Sequence, residues 1–303
     1  MKKIIITGGT GTIGSELKNI LITKGYNVIV LTRSKTKNNE SIFFWDFNNK
    51  IIDKEILKDT YALIHLAGAN IAEKRWSKER KEELLTSRVK SLQFLFDKFN
   101  EIQSFPKILV SSSGVGYYGA NISGHIYQED NLPGNDFIGS LCEDWEQAAL
   151  NFEQLTTRVV ILRTGVVLSA AKNGMLGKIL PIFKLGLGSA IGSGKQTFPW
   201  IHLEDIVSCF THSIEHDNLK GIFNAVAPEY ISNKDFSETL AKVLKKPFFL
   251  PPVPSFLLKL IFGELACILI QGSKISSKKI VTSNFKFKYN NSSEALKNIL
   301  SYK

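Results

Sequence analysis

The feature that most constrains this chain is a glycine-rich loop directly after its first apolar run. Residues 3–7 are a short β-branched stretch, and residues 7–14 then read Thr-Gly-Gly-Thr-Gly-Thr-Ile-Gly. A strand that ends in this GxxGxxG spacing and opens into a helix is typical of dinucleotide-binding folds. Gly8 permits a tight turn, Gly11 leaves room for a pyrophosphate, and Gly14 lets helix and strand pack closely. The alternative interpretation is a glycine turn without a ligand.

The first 230 residues alternate strand-like and helix-like segments, which is the pattern of a parallel sheet with crossover helices. Apolar runs such as residues 159–162 favour strands that are covered on both faces. We therefore predict an α/β fold with a doubly wound, Rossmann-like parallel sheet of about seven strands. The predicted strands are 3–7, 28–32, 41–45, 61–66, 107–111, 158–163 and 221–225, and the predicted helices are 15–24, 81–99 and 144–155.

The sequence changes character past residue 230. Prolines cluster at 247, 251, 252 and 254, an apolar helix is predicted over 255–270, and the end is rich in lysine. We predict a nucleotide-binding domain over residues 1–230 and a small lysine-rich C-terminal domain over residues 231–303, on the substrate side of the sheet.

Charge and composition exclude several classes of protein. Lys plus Arg number 38 and Asp plus Glu 28, a net charge of +10, and residues 242–303 hold eleven lysines against two acidic residues. Because no aromatic-interleaved basic motif or recognition helix accompanies these lysines, we expect a solvated lysine face and no nucleic-acid partner. Three scattered cysteines without a CxxC pair and five scattered histidines indicate neither disulfides nor a metal site.

The apolar tracts of the chain are short. Only three isoleucines follow Lys3 before the glycines, which is too few for a signal peptide. The longest tract, residues 256–270, is broken by Lys259, Gly263 and Glu264, so it favours a buried or interface helix instead of a membrane span. We predict a cytoplasmic protein with no membrane partner.

The end of the second predicted strand indicates which cofactor is preferred. An acidic residue there would accept hydrogen bonds from the adenosine ribose and favour NAD. Residues 30–35 contain no acid; Arg33 instead offers a planar guanidinium suited to a 2′-phosphate, with Ser34 beside it. We therefore expect NADP, with NAD less favoured. A surface arginine in a loop is the alternative.

Further motifs are spread along nearly the whole chain. They are His65-Leu66-Ala67-Gly68-Ala69, Lys74-Arg75-Trp76, Ser87-Arg88, residues 111–119 (SSSGVGYYG), Asp144-Trp145-Glu146, Arg163-Thr164-Gly165, Trp200-Ile201-His202, Phe262-Gly263-Glu264 and Phe285-Lys286-Phe287. With the glycine loop, they resemble the extended short-chain dehydrogenase/reductases of the NAD-dependent epimerase/dehydratase superfamily. The resemblance is to an atypical subgroup of uncharacterised epimerase family proteins that end in a small C-terminal domain, and it supplies no substrate.

The resemblance implies a set of cofactor-binding residues. Arg33 corresponds to a reader of the 2′-phosphate, Asp46 to the usual adenine contact, and Arg88 stands where related enzymes usually carry an asparagine. The remaining positions, in the phosphate loop and the turn after the fourth predicted strand, are Gly8, Thr10, Gly11, Thr12, Ile13, Gly14, Leu66, Ala67 and Gly68.

The resemblance also implies a catalytic serine, tyrosine and lysine, and only the serine is present. Ser113, or alternatively Ser112, ends the fifth predicted strand, where a hydroxyl could bind a substrate carbonyl; a serine-rich turn is the alternative. Phe137 replaces the tyrosine, and leucine or cysteine, Leu141 or Cys142, replaces the lysine. Since phenylalanine cannot donate a proton, the standard mechanism cannot operate.

Two tyrosines near the serine are candidate proton donors. Tyr117 and Tyr118 follow it in sequence, and Arg88 would lower the pKa of a nearby phenol or thiol. A core tyrosine is the alternative for at least one of them, and Cys142 is more typical of a small buried residue than of a nucleophile.

Residues 165–202 are predicted to form the substrate side of the site. Six glycines between 174 and 194 indicate a flexible, loop-like segment that closes over a ligand, or else plain turns. Lys195, Trp200 and His202, together with Trp76, are the candidate substrate contacts. A structural histidine is the alternative for His202.

These observations predict an NADP-dependent oxidoreductase or epimerase-like enzyme that acts on a small carbonyl or hydroxyl compound, with Ser113 polarising the oxygen. A noncatalytic NADP(H)-binding sensor or scaffold is the alternative, because the tyrosine/lysine pair is missing. A redox-neutral isomerase that holds its cofactor permanently is a further alternative. By analogy with the architecture, a homodimer through helices such as 81–99 is also considered.

Overall fold

A computed structural model describes residues 1–35, 41–122, 124–172 and 174–301. In chain order the strands are β1 (Lys3–Thr7), β2 (Asn27–Thr32), β3 (Ile42–Asp46), β4 (Ile51–Ile52), β5 (Thr60–His65), β6 (Ile108–Gly114), β7 (Ile126–Tyr127), β8 (Arg158–Thr164), β9 (Val166–Leu168), β10 (Trp200–His202), β11 (Gly221–Ala225) and β12 (Lys274–Ile275). The α-helices are α1 (Thr12–Thr23), α2 (Lys78–Leu85), α3 (Ser91–Ile102), α4 (Phe137–Leu150), α5 (Met175–Lys184), α6 (Leu203–Glu215), α7 (Asn233–Val243), α8 (Ser255–Phe262), α9 (Cys267–Ile270), α10 (Lys278–Thr282) and α11 (Ser292–Ser301).

One sheet organises the fold, with strand order β11-β8-β6-β5-β1-β2-β3-β4. The first seven of these strands are parallel, and the two-residue β4 pairs antiparallel with β3 at the edge. The predicted Rossmann-like fold is therefore confirmed. The strand order reverses between β1 and β5, and ligands of such sheets bind in the crevice at the carboxyl ends of the strands flanking that point.

Each face of the sheet has its own core. Side chains alternate along β1, so Ile4 and Ile6 pack with α1 and α6 on one face, while Ile5 packs with α3 and α4 on the other. All three isoleucines are fully buried, which is why the strand is apolar throughout.

A third core joins the C-terminal elements to the middle of the chain. Leu176 of α5 and Trp200 of β10 pack with Leu240 of α7 and Leu296 of α11. The short strand β12 pairs with β7, and α10 packs on the edge strand β11. The C-terminal segment therefore covers one end of the sheet. The domain division at residue 230 stays a prediction.

Three predicted elements differ from the structure. The helix predicted over 144–155 begins at Phe137, because Asp136 caps it by accepting a hydrogen bond from the Gly139 N–H. The helix predicted over 255–270 ends at Phe262, where Gly263 has a left-handed φ of 61°. The segment 165–202 is not a continuous loop, since its stripe of Leu176, Leu180 and Phe183 buries one side of α5.

Within the described ranges, no helix is long and apolar enough to cross a membrane. In the same part of the chain, no three or more His, Cys, Asp and Glu side chains are grouped so as to hold a metal ion.

His65 is a buried titratable residue at the end of β5. Trp145 Nε1 donates to its Nδ1 at 3.4 Å, and its Nε2 lies 3.0 Å from Ser91 Oγ. Burial, with a smaller contribution from the charge of Arg88, lowers the pKa of His65 from 6.5 to about 3. The ring is therefore neutral in the folded protein.

This pKa predicts a loss of stability in weak acid. Below pH 6.5 the unfolded chain binds a proton at His65 that the folded chain does not, so the free energy of unfolding falls as the pH decreases toward the folded-state pKa. Between pH 7.5 and 5 we expect this residue to account for a loss of about 2 kcal/mol. Urea unfolding of the wild type and of His65→Asn at both pH values measures it.

Between pH 7.5 and 5, the free energy of unfolding of His65→Asn should fall by about 2 kcal/mol less than that of the wild type. His125→Asn, at an exposed histidine, is the matched control and should retain the wild-type dependence. Equal pH dependence of His65→Asn and the wild type would show that His65 is not kept neutral by folding.

Candidate functional site

A cavity of about 380 Å³ lies at the carboxyl ends of the strands around the point where the strand order reverses. It is lined by Gly8, Thr10, Gly11, Leu31, Thr32, Arg33, Ser34, Trp45, Phe47, Leu66, Ala67, Gly68 and Ser87. Eight of these residues are among the predicted cofactor-binding positions. Thr12, Ile13 and Gly14 form the first turn of α1 next to it.

Two glycines of the loop are required by the packing of the protein itself. Gly8 has a φ of 69°, and a Cβ there would lie 2.6 Å from the carbonyl oxygen of Leu66. A Cβ at Gly14 would lie 2.4 Å from the carbonyl oxygen of Gly8. The Thr7 hydroxyl accepts hydrogen bonds from the N–H groups of Leu66 and Ala67 at 3.2 Å each. The loop after β1 is thereby held against the end of β5.

Gly11 differs from those two glycines. Its φ of −79° is open to any residue, and a Cβ there would approach only the Gly8 carbonyl oxygen, at 3.3 Å. Gly11 is also the N-cap of α1 and provides no side-chain cap, so the first N–H groups of the helix have no partner from that side chain. A phosphate fits such a helix start, since the N–H groups and the helix dipole both attract it.

Arg33 and Ser34 lie at the cavity beyond β2, as the sequence predicts for residues that meet a 2′-phosphate. The Arg33 side chain is exposed and makes no hydrogen bond or ion pair to the described residues. Asp46 accepts hydrogen bonds from the backbone of Asn48 and Asn49 and closes a turn, while its neighbours Trp45 and Phe47 line the cavity. The adenine contact of Asp46 stays a prediction.

A π-helical turn, Thr86–Lys90, joins α2 to α3 and positions Ser87 and Arg88. Such turns insert one extra residue into a helix and are frequent at functional sites. Ser87 lines the cavity and accepts a hydrogen bond from the Ala69 N–H at 2.9 Å. The sequence predicts one uninterrupted helix here, because apolar spacing does not distinguish a single wide turn.

The Arg88 side chain is buried directly behind the cavity wall. Its guanidinium donates to the carbonyl oxygens of Leu84 and Ala69, and lies 5.1 Å from the Trp145 ring centroid. A Cβ at Gly68 would lie 3.0 Å from Arg88 Cζ, so this glycine makes room for the guanidinium. Burial lowers the pKa of Arg88 to about 10. It remains a cation at neutral pH, with no carboxylate within 4 Å among the described residues.

A second group of polar residues lies across the carboxyl ends of β6, β8 and β11. Ser113, Arg163 and Asn224 are paired in register on these neighbouring parallel strands. Glu146 of α4 reaches the same row, where it accepts from Ser113 Oγ at 2.7 Å and from Arg163 Nε and Nη2 at 2.8 Å each. The Glu146 and Arg163 side chains are 4% and 1% exposed, so this is a buried, two-pronged ion pair.

Tyr118 extends the row. Its hydroxyl accepts from Arg163 Nη1 at 2.9 Å and donates to Asn224 Oδ1 at 2.7 Å. Asn224 Nδ2 donates in turn to the carbonyl oxygen of Ser276 in the C-terminal segment. Burial raises the pKa of Tyr118 to about 12. We name the set Ser113, Tyr118, Glu146, Arg163 and Asn224 the polar row.

Burial, by itself, would disfavour the charged form of Arg163 and lower its pKa. The hydrogen bonds and the charge of Glu146 outweigh burial and raise the pKa of Arg163 above its usual value. Tyr117 lies over the same guanidinium, with its ring centroid 3.3 Å from Arg163 Cζ. Burial raises the Tyr117 pKa, and the positive charge of Arg163 opposes that rise. Of the two candidate tyrosines, only Tyr117 is partly exposed.

The remaining candidates near the serine lack reactive character. Burial raises the pKa of Cys142 to about 12, so its thiol stays protonated. Phe137 begins α4 and packs edge-on against Trp76, with ring centroids 5.1 Å apart. The structure thus places an apolar contact where related enzymes are expected to have a catalytic phenol.

The four predicted substrate residues do not line the cavity. Trp200 is fully buried in the third core, and its Nε1 donates to Glu229 Oε2. His202 caps α6 by accepting from the Glu204 N–H. Lys195 is exposed on a turn, and Trp76 lies beside a separate, open surface cavity of about 770 Å³. Contacts of these four residues with a substrate stay predictions.

Sequence reasoning assigns no role to Glu146 or Asn224, and none to the cavity-lining Trp45, Phe47 and Ser87. For the polar row a signal exists, since Arg163 follows four apolar residues and Glu146 stands among apolar helix positions. A charge in an apolar run indicates a buried partner, but the sequence does not indicate which one.

The fold and the glycine loop define an extended short-chain dehydrogenase/reductase type of dinucleotide-binding protein. Residues 4–225 match the NAD dependent epimerase/dehydratase family, and residues 253–299 match a domain of unknown function (DUF1731). The chain belongs to the NAD dependent epimerase/dehydratase family, which confirms the resemblance seen in the sequence.

Similar proteins come from plants, bacteria and man. The chain is 34% identical over 304 residues to a chloroplastic epimerase family protein SDR39U1 homolog of Arabidopsis thaliana, covering 98% of this chain and 86% of that protein. It is 36% identical over 307 residues to an epimerase family protein of Staphylococcus saprophyticus, covering 99% and 100%. A crystal structure of human epimerase family protein SDR39U1 (isoform 2) with NADPH is similar with a TM-score of 0.88 at 33% identity, covering 99% and 100%.

The polar row predicts the effect of removing one buried charge. In Glu146→Gln the Arg163 guanidinium would stay buried without its counter-charge, so we expect the free energy of unfolding to fall by about 3–5 kcal/mol. Urea unfolding at pH 7.5 measures the loss. Replacing both partners, as Glu146→Leu/Arg163→Met, should restore part of it because no uncompensated charge is left.

The matched control is Glu215→Gln, which removes the carboxylate of the exposed pair with Lys24 and should cost less than about 1 kcal/mol. If Glu146→Gln is no more destabilising than Glu215→Gln, the buried pair does not stabilise this end of the sheet.

Proposed function

We propose that this chain binds NADP(H) and exchanges a hydride between the nicotinamide and a small carbonyl or hydroxyl compound, as an NADP-dependent oxidoreductase or epimerase-like enzyme. The observation that carries the proposal is the start of α1. The packing of the protein constrains Gly11 less than Gly8 or Gly14, since its φ is ordinary and a Cβ there would make one tight contact, 3.3 Å from the Gly8 carbonyl oxygen. Gly11 also adjoins the helix N–H groups that would hold a pyrophosphate. Membership of the epimerase/dehydratase family supports the same cofactor class.

The preference for NADP rests on Arg33. Its exposed guanidinium borders the cavity, makes no hydrogen bond or ion pair with the described residues, and suits a 2′-phosphate better than a ribose hydroxyl. The similar human protein was crystallised with NADPH, which supports this choice. Arg88 would add a second positive charge behind the cavity wall, facing the cofactor or an anionic substrate group through Gly68.

When bound, the cofactor supplies or accepts the hydride, and the chain must supply the proton. Phe137 carries no ionisable group, the Cys142 thiol is protonated, and the Tyr118 hydroxyl already donates to Asn224. Tyr117 is the remaining candidate, since its ring lies against Arg163, which shares Glu146 with Ser113. The raised pKa of Tyr117 keeps it protonated at neutral pH. A phenol in that state acts as the acid that a carbonyl reduction requires.

Ser113 has a restricted part in this scheme. Its hydroxyl hydrogen is donated to Glu146, so its oxygen is left to accept a hydrogen bond. It would therefore orient the hydroxyl of an alcohol, or of Tyr117, more readily than it would polarise a ketone. This reverses the donor role that the sequence suggests for the serine.

A noncatalytic NADP(H)-binding sensor or scaffold is the second candidate. The specific observation in its favour is that Phe137 stands where a tyrosine is expected, and Leu141 or Cys142 where a lysine is expected. Ser113 is in addition held by Glu146. In that case the chain would bind the cofactor without consuming it.

Arg33→Ala tests the cofactor preference. We expect NADPH binding to weaken about tenfold to a hundredfold because a charged hydrogen-bond partner is lost, while NADH binding stays within about twofold. Isothermal titration calorimetry of the cofactor-stripped protein with each nucleotide measures both.

Gly11→Val is the companion variant. Its backbone geometry is ordinary, so it should fold, yet its side chain should abolish binding of either nucleotide. Equal losses for NADPH and NADH in Arg33→Ala would remove Arg33 from specificity. Undiminished binding by a folded Gly11→Val protein would overturn the assignment of the loop.

Tyr117→Phe tests the proton donor. The wild type should oxidise NADPH, followed by its absorbance, with at least one member of a panel of small aldehydes, ketones and diketones. The variant should turn over about a hundredfold to ten-thousandfold more slowly with NADPH affinity unchanged. Tyr230→Phe, at a half-exposed tyrosine, is the control that should keep full activity.

The two candidate functions give different results. Tight NADPH binding without turnover of any carbonyl compound would favour the sensor. Turnover that is unaffected in Tyr117→Phe would retain the enzyme and reject this proton donor.

A further inference from the structure

Exposed apolar side chains are concentrated in one part of the surface. Of the sixteen exposed large hydrophobic residues in the described chain, eight lie in two short segments, residues 182–187 and 249–261. These eight, which we name the apolar face, are Ile182, Leu185, Leu187, Phe249, Phe256, Leu257, Leu260 and Ile261. Leu185, Phe249, Phe256 and Leu260 are each more than 70% exposed. A monomeric protein rarely leaves such a group of side chains uncovered without a binding role.

The two segments that carry the apolar face run side by side. The Gly192 N–H donates to the Val253 carbonyl oxygen, and the Val253 N–H donates to the Ala190 carbonyl oxygen, both at 2.9 Å. A Cβ on Gly186 would lie 3.4 Å from Pro247 Cγ. The loop after α5 is therefore fixed against the proline-rich stretch that leads into α8, so the two segments are neighbours in the structure.

Helix α8 carries half of the residues of the apolar face. Phe256 and Leu260 are one helical turn apart, as are Leu257 and Ile261, so the four form a single outward stripe. Leu258, on the other side, is buried and anchors the helix to the protein. An amphipathic helix normally buries its apolar side. Helix α8 instead exposes four apolar residues and buries only Leu258.

The two segments that carry the apolar face contain charges of one sign only. Residues 174–195 and 239–263 contain no Asp or Glu. Lys184, Lys245, Lys246 and Lys259 are exposed there and have no ion pair within the described chain. The acids at the two ends of the second segment are neutralised, Glu238 by Lys242 and Glu264 by Lys81.

We propose that the apolar face is a peripheral docking surface for an anionic lipid bilayer, which departs from the prediction from the sequence that the protein has no membrane partner. Exposed aromatic and aliphatic side chains would enter the boundary between headgroups and acyl chains, while the surrounding lysines would meet lipid phosphates. Helix α8 has eight residues, so it lies along the interface and does not cross the bilayer.

The lysines are what distinguish this occupant from a second copy of the chain. A two-fold dimer over this face would bring the same unpaired lysines from both copies to one interface, where like charges repel. An anionic bilayer instead pairs each lysine with an opposite charge. It also covers a convex surface without needing shape complementarity.

Vesicle sedimentation tests the proposal with the full chain. We expect the protein to bind vesicles of phosphatidylcholine containing about 30% phosphatidylglycerol, and to bind pure phosphatidylcholine vesicles at least about tenfold more weakly. Binding should weaken when the salt concentration is raised, since the lysine contribution is screened. No binding to the anionic vesicles would overturn the proposal.

Two variants separate the apolar and the charged contributions. Phe256→Ser/Leu260→Ser and Lys245→Glu/Lys246→Glu should each lower the vesicle partition coefficient at least about tenfold with unchanged thermal unfolding. Matched controls elsewhere are Leu132→Ser, an exposed leucine after β7, and Lys50→Glu/Lys107→Glu, two exposed lysines. These controls should bind vesicles like the wild type.

Equal losses in the variants and the controls would show general electrostatic attraction and contradict docking through this face. Sedimentation velocity without lipid tests whether a second copy of the chain covers the face. A stable dimer that dissociates in Phe256→Ser/Leu260→Ser would assign the face to a second copy instead. A monomer that binds anionic vesicles through the face supports the proposal.

Discussion

The ion pair of Glu146 and Arg163 places two full charges in the interior at the carboxyl edge of the sheet. Removing such charges from water costs several kcal/mol for each ion, and only favourable geometry offsets that cost. Here Arg163 donates through two nitrogens to both carboxylate oxygens, Ser113 donates to one of them, and Tyr118 accepts from the remaining nitrogen. The pair therefore requires β6, β8, α4 and the turn after β6 to be in place together. Through Asn224 it also connects to the C-terminal segment.

The same arrangement changes what chemistry is available at the carboxyl ends of β6 and β8, although neither Ser113 nor Tyr117 is among the residues that line the cavity. In the usual scheme a lysine lowers the pKa of a tyrosine so that the phenol can exchange protons in both directions. Here the cation next to Tyr117 is an arginine whose charge is already balanced by Glu146, and the pKa of Tyr117 is raised by burial. Such a phenol gives up a proton only to a strongly basic acceptor, for example the alkoxide that forms as a carbonyl is reduced.

The sequence predicts the sheet well and the polar row poorly, for reasons that are physical. Buried parallel strands such as β1 and β8 are continuous apolar runs, and the glycine spacing after β1 is visible in the sequence because Gly14 is required by a contact with the nearby Gly8. The start of α4 depends on one capping side chain, Asp136, in a stretch without helical periodicity. Glu146, Arg163 and Asn224 meet only because the strand register aligns residues far apart in the chain.

The π-helical turn between α2 and α3 has a mechanical consequence. One extra residue in a turn rotates everything beyond it by about 100° relative to a regular helix. The Arg88 guanidinium lies between the Trp145 ring and Gly68. This position depends on the length of the turn Thr86–Lys90 as much as on the identity of its residues. Substitutions at the exposed positions of this turn would leave the rotation between α2 and α3 unchanged. Deletion of a single residue would rotate α2 relative to α3 and move the Arg88 guanidinium away from Gly68. In this stretch, the number of residues determines the position of the Arg88 side chain.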